Sequence, residues 1–190
     1  EFKDRGFFYQ CTNEDELSKL LDKEKISCEI GKMRDDPDLA TKAHQKYLKD
    51  GTDRKYPIRI SAKEQAWTGS YKERGYTGWT KYEIIVDNVN SSLSGFGSDN
   101  DGKFVIEQGM FDTRTGRFAW CERTKRSSHD LYVRCEAECE DDACSSMIGH
   151  YYASTGLEGQ LKLRRNGVKK ASHAPTNLPD WSRGLSQKEL

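Results

Sequence analysis

Residues 98–122 read SDNDGKFVIEQGMFDTRTGRFAWCE. Ser98-Asp99-Asn100-Asp101-Gly102 is a polar turn in which Gly102 supplies a positive φ. Lys103–Phe111 follows with Phe104, Ile106 and Met110 on even positions, the two-residue period of a half-buried strand. Asp112-Thr113-Arg114-Thr115-Gly116 is a hairpin loop, and Arg117–Glu122 resumes the alternation with Phe118 and Trp120. The stretch therefore predicts an antiparallel hairpin. On either side the texture repeats, with strands expected at Ala66–Tyr71, Lys81–Val86, Ser91–Gly97, Leu131–Glu138, Met147–Ser154 and Gly159–Leu163. Leu131, Val133, Cys135 and Ala137 share one parity. Sequential hairpins in this number predict a mainly β fold, an eight-stranded antiparallel up-and-down barrel without a free edge.

Upstream the period changes. Residues 12–24 read as a short helix, with cap residues Thr12 and Asn13 and an apolar stripe of Leu17, Leu20 and Leu21. A second helix starts at Asp36, with Pro37 in its first position, and stops at Gly51. Its apolar stripe is Leu39, Ala43 and Tyr47, and His44 beside it reads as a partly exposed helix histidine. The organisation expected is a helical extension over 1–60, a barrel domain over 61–163 and an extended basic tail over 164–190. In that tail six Lys and Arg face two acids, and Pro175 and Pro179 oppose any regular element. Trp181, with Arg164, Arg165, Lys169 and Lys170, is the expected partner-binding set there.

Composition narrows the function. Thirty-one Lys and Arg balance 31 Asp and Glu over 190 residues, so the phosphate-neutralising excess of a general nucleic-acid binder is missing. Apolar runs are too short for a membrane-spanning helix. The 4 Trp, 9 Tyr and 7 Phe supply core volume in a chain that is only 34% hydrophobic. Six cysteines are compatible with disulfides, with free thiols, or with a zinc site around Cys135, Cys139, Cys144, Cys121 and His150. We expect at least one disulfide, either within Cys135–Cys144 or between Cys11 and Cys28, and no bound metal. A disulfide implies an oxidising compartment, an organelle lumen or the secretory pathway, reached after removal of a targeting segment.

The motifs Trp67-x-Gly69-x-Tyr71, Gly95-x-Gly97-x-Asp99-x-Asp101-Gly102-x-Phe104-x-Ile106, Thr115-Gly116-Arg117-x-x-Trp120 and Gly156-x-x-Gly159-x-x-x-Leu163 carry a resemblance. Over residues 66–163 the chain resembles the lipocalin-like, or calycin-like, small β-barrels. That resemblance implies carriage of a small hydrophobic ligand or pigment, for which Phe104, Trp120, His150 and Tyr152 are the candidate contacts. Catalytic signatures are not legible. The Asp99–Gly102 run fails as an EF-hand, because Gly97 and Gln108 fall where its first and twelfth ligands belong. Cys121 and His150 could meet across a barrel, but no local nucleophile signature accompanies them. The expectation is therefore a non-enzymatic barrel without cofactor. It docks as an accessory subunit onto a larger protein assembly, such as a membrane-associated photosynthetic or respiratory one. Tyr76 and Trp79, read as part of an Arg74–Trp79 contact loop, join the tail in that docking role. Ligand carriage is the alternative, and a cofactor-free enzyme is the third reading. Cavity volume separates the first two, because large interior side chains fill a small barrel and small ones leave room.

Overall fold

The computed structural model describes residues 14–62, 64–127 and 129–167. Two helices, α1 (Glu14–Asp35) and α2 (Pro37–Lys49), precede β1 (Glu64–Glu73), β2 (Tyr76–Asp87), β3 (Ser92–Asp99), β4 (Gly102–Asp112), β5 (Arg117–Thr124), β6 (Leu131–Cys139), β7 (Ser146–Ala153) and β8 (Glu158–Arg165). Each strand pairs antiparallel with the next. β1 closes the barrel on β8, from Trp67 opposite Arg165 to Lys72 opposite Gln160. Among the described residues no helix is long and apolar enough to cross a membrane.

Alternation along the strands builds the interior. Trp67, Ile84, Phe104, Phe111, Phe118, Trp120, Met147 and Leu163 point inward and are buried. Phe111 and Phe118 stack at 5.5 Å. A bulge interrupts β4 between Glu107 and Met110, with Gln108 in the left-handed region at φ 47. The bulge adds one residue and reverses the parity beyond it. Phe111 therefore enters the core, and Met110, expected inward, is only half-buried. At Gly95, φ is +144 and a Cβ would lie 2.0 Å from the Glu83 carbonyl oxygen, so no other residue fits there.

One end of the barrel is shut. The 50–62 segment runs beneath the β2–β3, β4–β5 and β6–β7 turns and buries Ile58 against the core. Its amides donate to the turns, Arg54 to the Arg114 carbonyl, Ile58 to Thr113 and Arg59 to Asp142. The Arg54 guanidinium donates to the Cys139 carbonyl at 2.9 Å and to Asp142 at 3.0 Å. The disulfide Cys139–Cys144 closes the β6–β7 turn at this same end.

Both helices lie outside the barrel wall, α2 on β4 and β5, α1 on β6 and β7. As a result β5 is buried on both faces, Phe118 and Trp120 inward, Ala119 and Cys121 under the helices. Several expectations are corrected here. The first helix continues to Asp35 and seats Ile30 and Met33, while Leu20 and Leu21 remain exposed. In α2 the buried face is Ala40, His44 and Leu48, one residue on from the expected stripe. His44 is fully buried, because the helix packs on a second surface that the periodicity alone did not reveal. Arg164 and Arg165 belong to β8 and not to an extended tail, since the barrel needs them to pair with β1.

Candidate functional site: the open mouth of the barrel

The end opposite the 50–62 strap holds a cavity of about 200 Å³. The alternation that packs the lower barrel changes character over the last two inward positions of each strand. On β3, β4 and β5 the inward and rim groups are polar: Asp99, Asp101, Glu122 and Thr124, with Thr80 beside them on β2. On β6, β7 and β8 they are apolar: Leu131, Val133, Ala153 and Leu161. Tyrosines Tyr71, Tyr82 and Tyr151 stand between the two sides.

Glu122 forms the floor. Its residue is 6% exposed, and its Oε1 accepts from the Tyr82 hydroxyl at 2.7 Å, the Trp120 indole N–H at 2.8 Å and the Cys135 thiol at 3.2 Å. Burial pushes the Glu122 carboxyl above the ordinary glutamate range, against the pull of its three donors. Burial also raises the Tyr82 phenol, with the Glu122 charge adding to it, and lifts Tyr71 to about 12. The tyrosines thus remain protonated donors at neutral pH. Thr80 is 3% exposed, and its buried Oγ1 has no hydrogen-bond partner among the described residues. At the rim, Tyr151 donates to Glu73 at 3.0 Å, and Arg126 sits 3.3 Å from Asp101. Burial raises the Asp99 carboxyl, whose Oδ1 accepts from the Asp101 and Gly102 amides.

The sequence-derived ligand set divides. Phe104 and Trp120 are inward but lie below the cavity as core, Phe104 packing edge-on to Tyr82 at 5.1 Å. His150 and Tyr152 take the other parity of β7 and are outside the barrel; His150 is exposed and Tyr152 packs toward the helices. The cavity groups that sequence reasoning did not single out are Glu122 and Thr80, while Asp99 entered it only in a turn tested as a calcium loop. Their signal was a polar residue on the inward parity of a strand. In β5 that parity was already set by Phe118 and Trp120.

The docking set divides as well. Arg74-Gly75 is a tight hairpin turn, with positive φ at both residues, so Tyr76 and Trp79 lie within β2 and not in a loop. Tyr76 stands at the rim, 6.1 Å from Tyr71, and Trp79 faces outward. Arg165 stacks over Trp67 and donates to the Ala143 carbonyl at 2.8 Å, while Arg164 is exposed. Trp181, Lys169 and Lys170 lie outside the described residues.

Of the cysteines, Cys139 and Cys144 are bonded, as expected for that region. Cys28 is an exposed free thiol, Cys121 and Cys135 are buried free thiols, and Cys11 lies outside the described residues. Cys135 is not bonded because its side chain points into the barrel toward Glu122. Cys121 meets His44 and not His150: its sulfur is 3.6 Å from His44 Nε2, while His44 Nδ1 donates to the Gln108 carbonyl at 2.8 Å. Burial raises the Cys121 thiol to about 12, so the pair is a packing contact between helix and barrel, not an activated nucleophile. No group of metal-ligating side chains occurs among the described residues.

No protein-family model matches the chain. Over 31 residues it is 77% identical to the tyrosine–tRNA ligase of Pelagibacter ubique (strain HTCC1062). That match takes in 16% of this chain and 8% of the ligase, a stretch too short to place the chain in that family.

Proposed function

We propose that the protein is a non-enzymatic small-ligand binder that holds a compact molecule in the open mouth of its barrel. The observation that carries this reading is the pairing of a cavity with an unsatisfied group: Thr80, on the cavity wall, holds a buried Oγ1 without a partner among the described residues. Buried polar groups are nearly always satisfied, so a ligand is the natural source of the missing bonds. The volume of about 200 Å³ lies below the range typical of drug-sized ligands, which calls for a smaller one. The disulfide suits an oxidising compartment, an organelle lumen or the secretory pathway. The test is native purification followed by denaturation and mass spectrometry of released small molecules, with Ala153→Trp, which fills the mouth, as the comparison. A molecule released by the wild type and not by the variant supports the reading; identical or empty extracts overturn it.

A second reading, docking onto a larger protein assembly, is favoured by a separate observation. Trp79, Ile85, Phe96 and Val105 are 46–53% exposed on the outer wall of β2, β3 and β4, and Phe96 pairs directly with Val105. Apolar groups clustered on a wall mark interaction surfaces more often than isolated ones do. Co-purifying chains lost on Phe96→Asp, with ligand release unchanged, would favour docking.

A further inference from the structure

Resting on the ligand-binding reading above, we propose that the mouth selects a small cationic amine carrying an apolar or aromatic body. The cavity is two-sided. Four carboxyl groups, Glu73, Asp99, Asp101 and Glu122, contribute to its lining, against the single cation Arg126, which is itself turned to Asp101. Facing the acids across the barrel, Leu131, Val133, Ala153 and Leu161 form an apolar wall.

An anionic ligand would have to enter against the acidic side with one arginine, already engaged, to receive it. A neutral apolar ligand would fill the apolar wall but leave Thr80 Oγ1 without a partner, at the cost attached to a buried unsatisfied group, and would set carbon against the Glu122 carboxyl. An ammonium group satisfies both. Its three N–H donors match a hydroxyl and a carboxylate oxygen, and Tyr71, Tyr82 and Tyr151 line the same recess, aromatic rings being groups that attract cations within about 6 Å of the centroid. The body of the ligand then lies on the leucine and valine side. A cluster of acids on an open surface would attract mobile cations only. Here the acids share a recess with a buried, unpartnered hydroxyl, and that combination points to a specific ligand.

Isothermal titration of the full chain with three matched probes tests the inference: 2-phenylethylamine, 2-phenylethanol and 3-phenylpropionate. We expect the amine to bind at least tenfold more tightly than the alcohol, and the propionate not to bind. Glu122→Gln keeps the shape and removes the charge, and should cut the preference for amine over alcohol about tenfold. If that variant does not fold, Asp99→Asn serves in its place, with a smaller loss of several-fold. Thr80→Val should weaken the amine several-fold. Equal or tighter binding of the alcohol or the propionate overturns the cationic inference and leaves the ligand-binding reading standing. Amine preference unchanged in both carboxyl variants overturns it too. Failure of all three probes also overturns it, and the release experiment on native protein then judges the ligand-binding reading by itself.

Discussion

Acidification should loosen the helices from the barrel, and His44 sets the size of the effect. The ring is fully buried beneath α2, its Nδ1–H committed to the Gln108 carbonyl and its Nε2 facing the Cys121 sulfur. Burial pushes its pKa down from 6.5 to about 4, and Arg134 nearby lowers it further, against the opposing pull of the Gln108 hydrogen bond. The folded state therefore holds a neutral imidazole where the unfolded chain binds a proton. The sign follows from linkage: the stability is fully present above pH 6.5 and falls as the pH drops toward 4. Over that interval the loss is about 3 kcal/mol, at roughly 1.4 kcal/mol per unit of displacement. Glu122, Asp99 and Glu136 have raised pKa values and work in the opposite direction, so the wild-type profile alone is not diagnostic. His44→Asn keeps a side-chain N–H for the Gln108 carbonyl and removes the titration. Urea unfolding of both proteins at steps between pH 7.5 and 4 should show a stability gap that narrows by about 3 kcal/mol as pH falls. Parallel profiles for wild type and variant would refute the reasoning.

Three further outcomes follow from particular contacts. Reducing Cys139–Cys144 opens a short loop at the strapped end and should lower unfolding stability by about 2 kcal/mol, read as a fall in the guanidinium midpoint. Without reduction, a thiol reagent should label Cys28 readily and leave Cys121 and Cys135 protected until the chain unfolds. Gly95→Ala places a methyl 2.0 Å from the Glu83 carbonyl oxygen at a φ of +144, and should cost about 3 kcal/mol in thermal or denaturant unfolding. A cost below about 0.5 kcal/mol, the ordinary surface range, would show that the β2–β3 ladder yields there.

The barrel was legible in the sequence because period two and turn chemistry act locally. Phe104, Ile106, Phe118 and Trp120 announce their faces without knowledge of any partner strand. Expectations failed where a non-local surface decided. The Gln108 bulge reversed the parity of β4 and so took Met110 out of the core, and Gly109, a residue that permits a bend without fixing its register, is the local sign of it. The helix faces were missed for a related reason. α2 buries Ala40, His44 and Leu48 because the outer wall at Ala119 and Cys121 is apolar, and Leu39 gives the stronger local signal while remaining partly exposed. The mouth was half legible. Tyr71, Tyr82 and Tyr151 are conspicuous as aromatic residues, but Glu122 reads as the polar end of a strand until Tyr82 and Trp120 are seen donating to it.

The central claim is that the open mouth, and not the outer wall or the strapped end, receives a small molecule. Two-dimensional NMR of the isotope-labelled chain, titrated with a mixture of cationic, neutral and anionic small aromatic compounds, locates binding whatever the ligand's charge. The account predicts shifts concentrated at Thr80, Tyr82, Glu122, Cys135 and Tyr151, abolished by Ala153→Trp. Shifts confined to Trp79, Phe96 and Val105 on the outer wall, or shifts that survive Ala153→Trp, would contradict it.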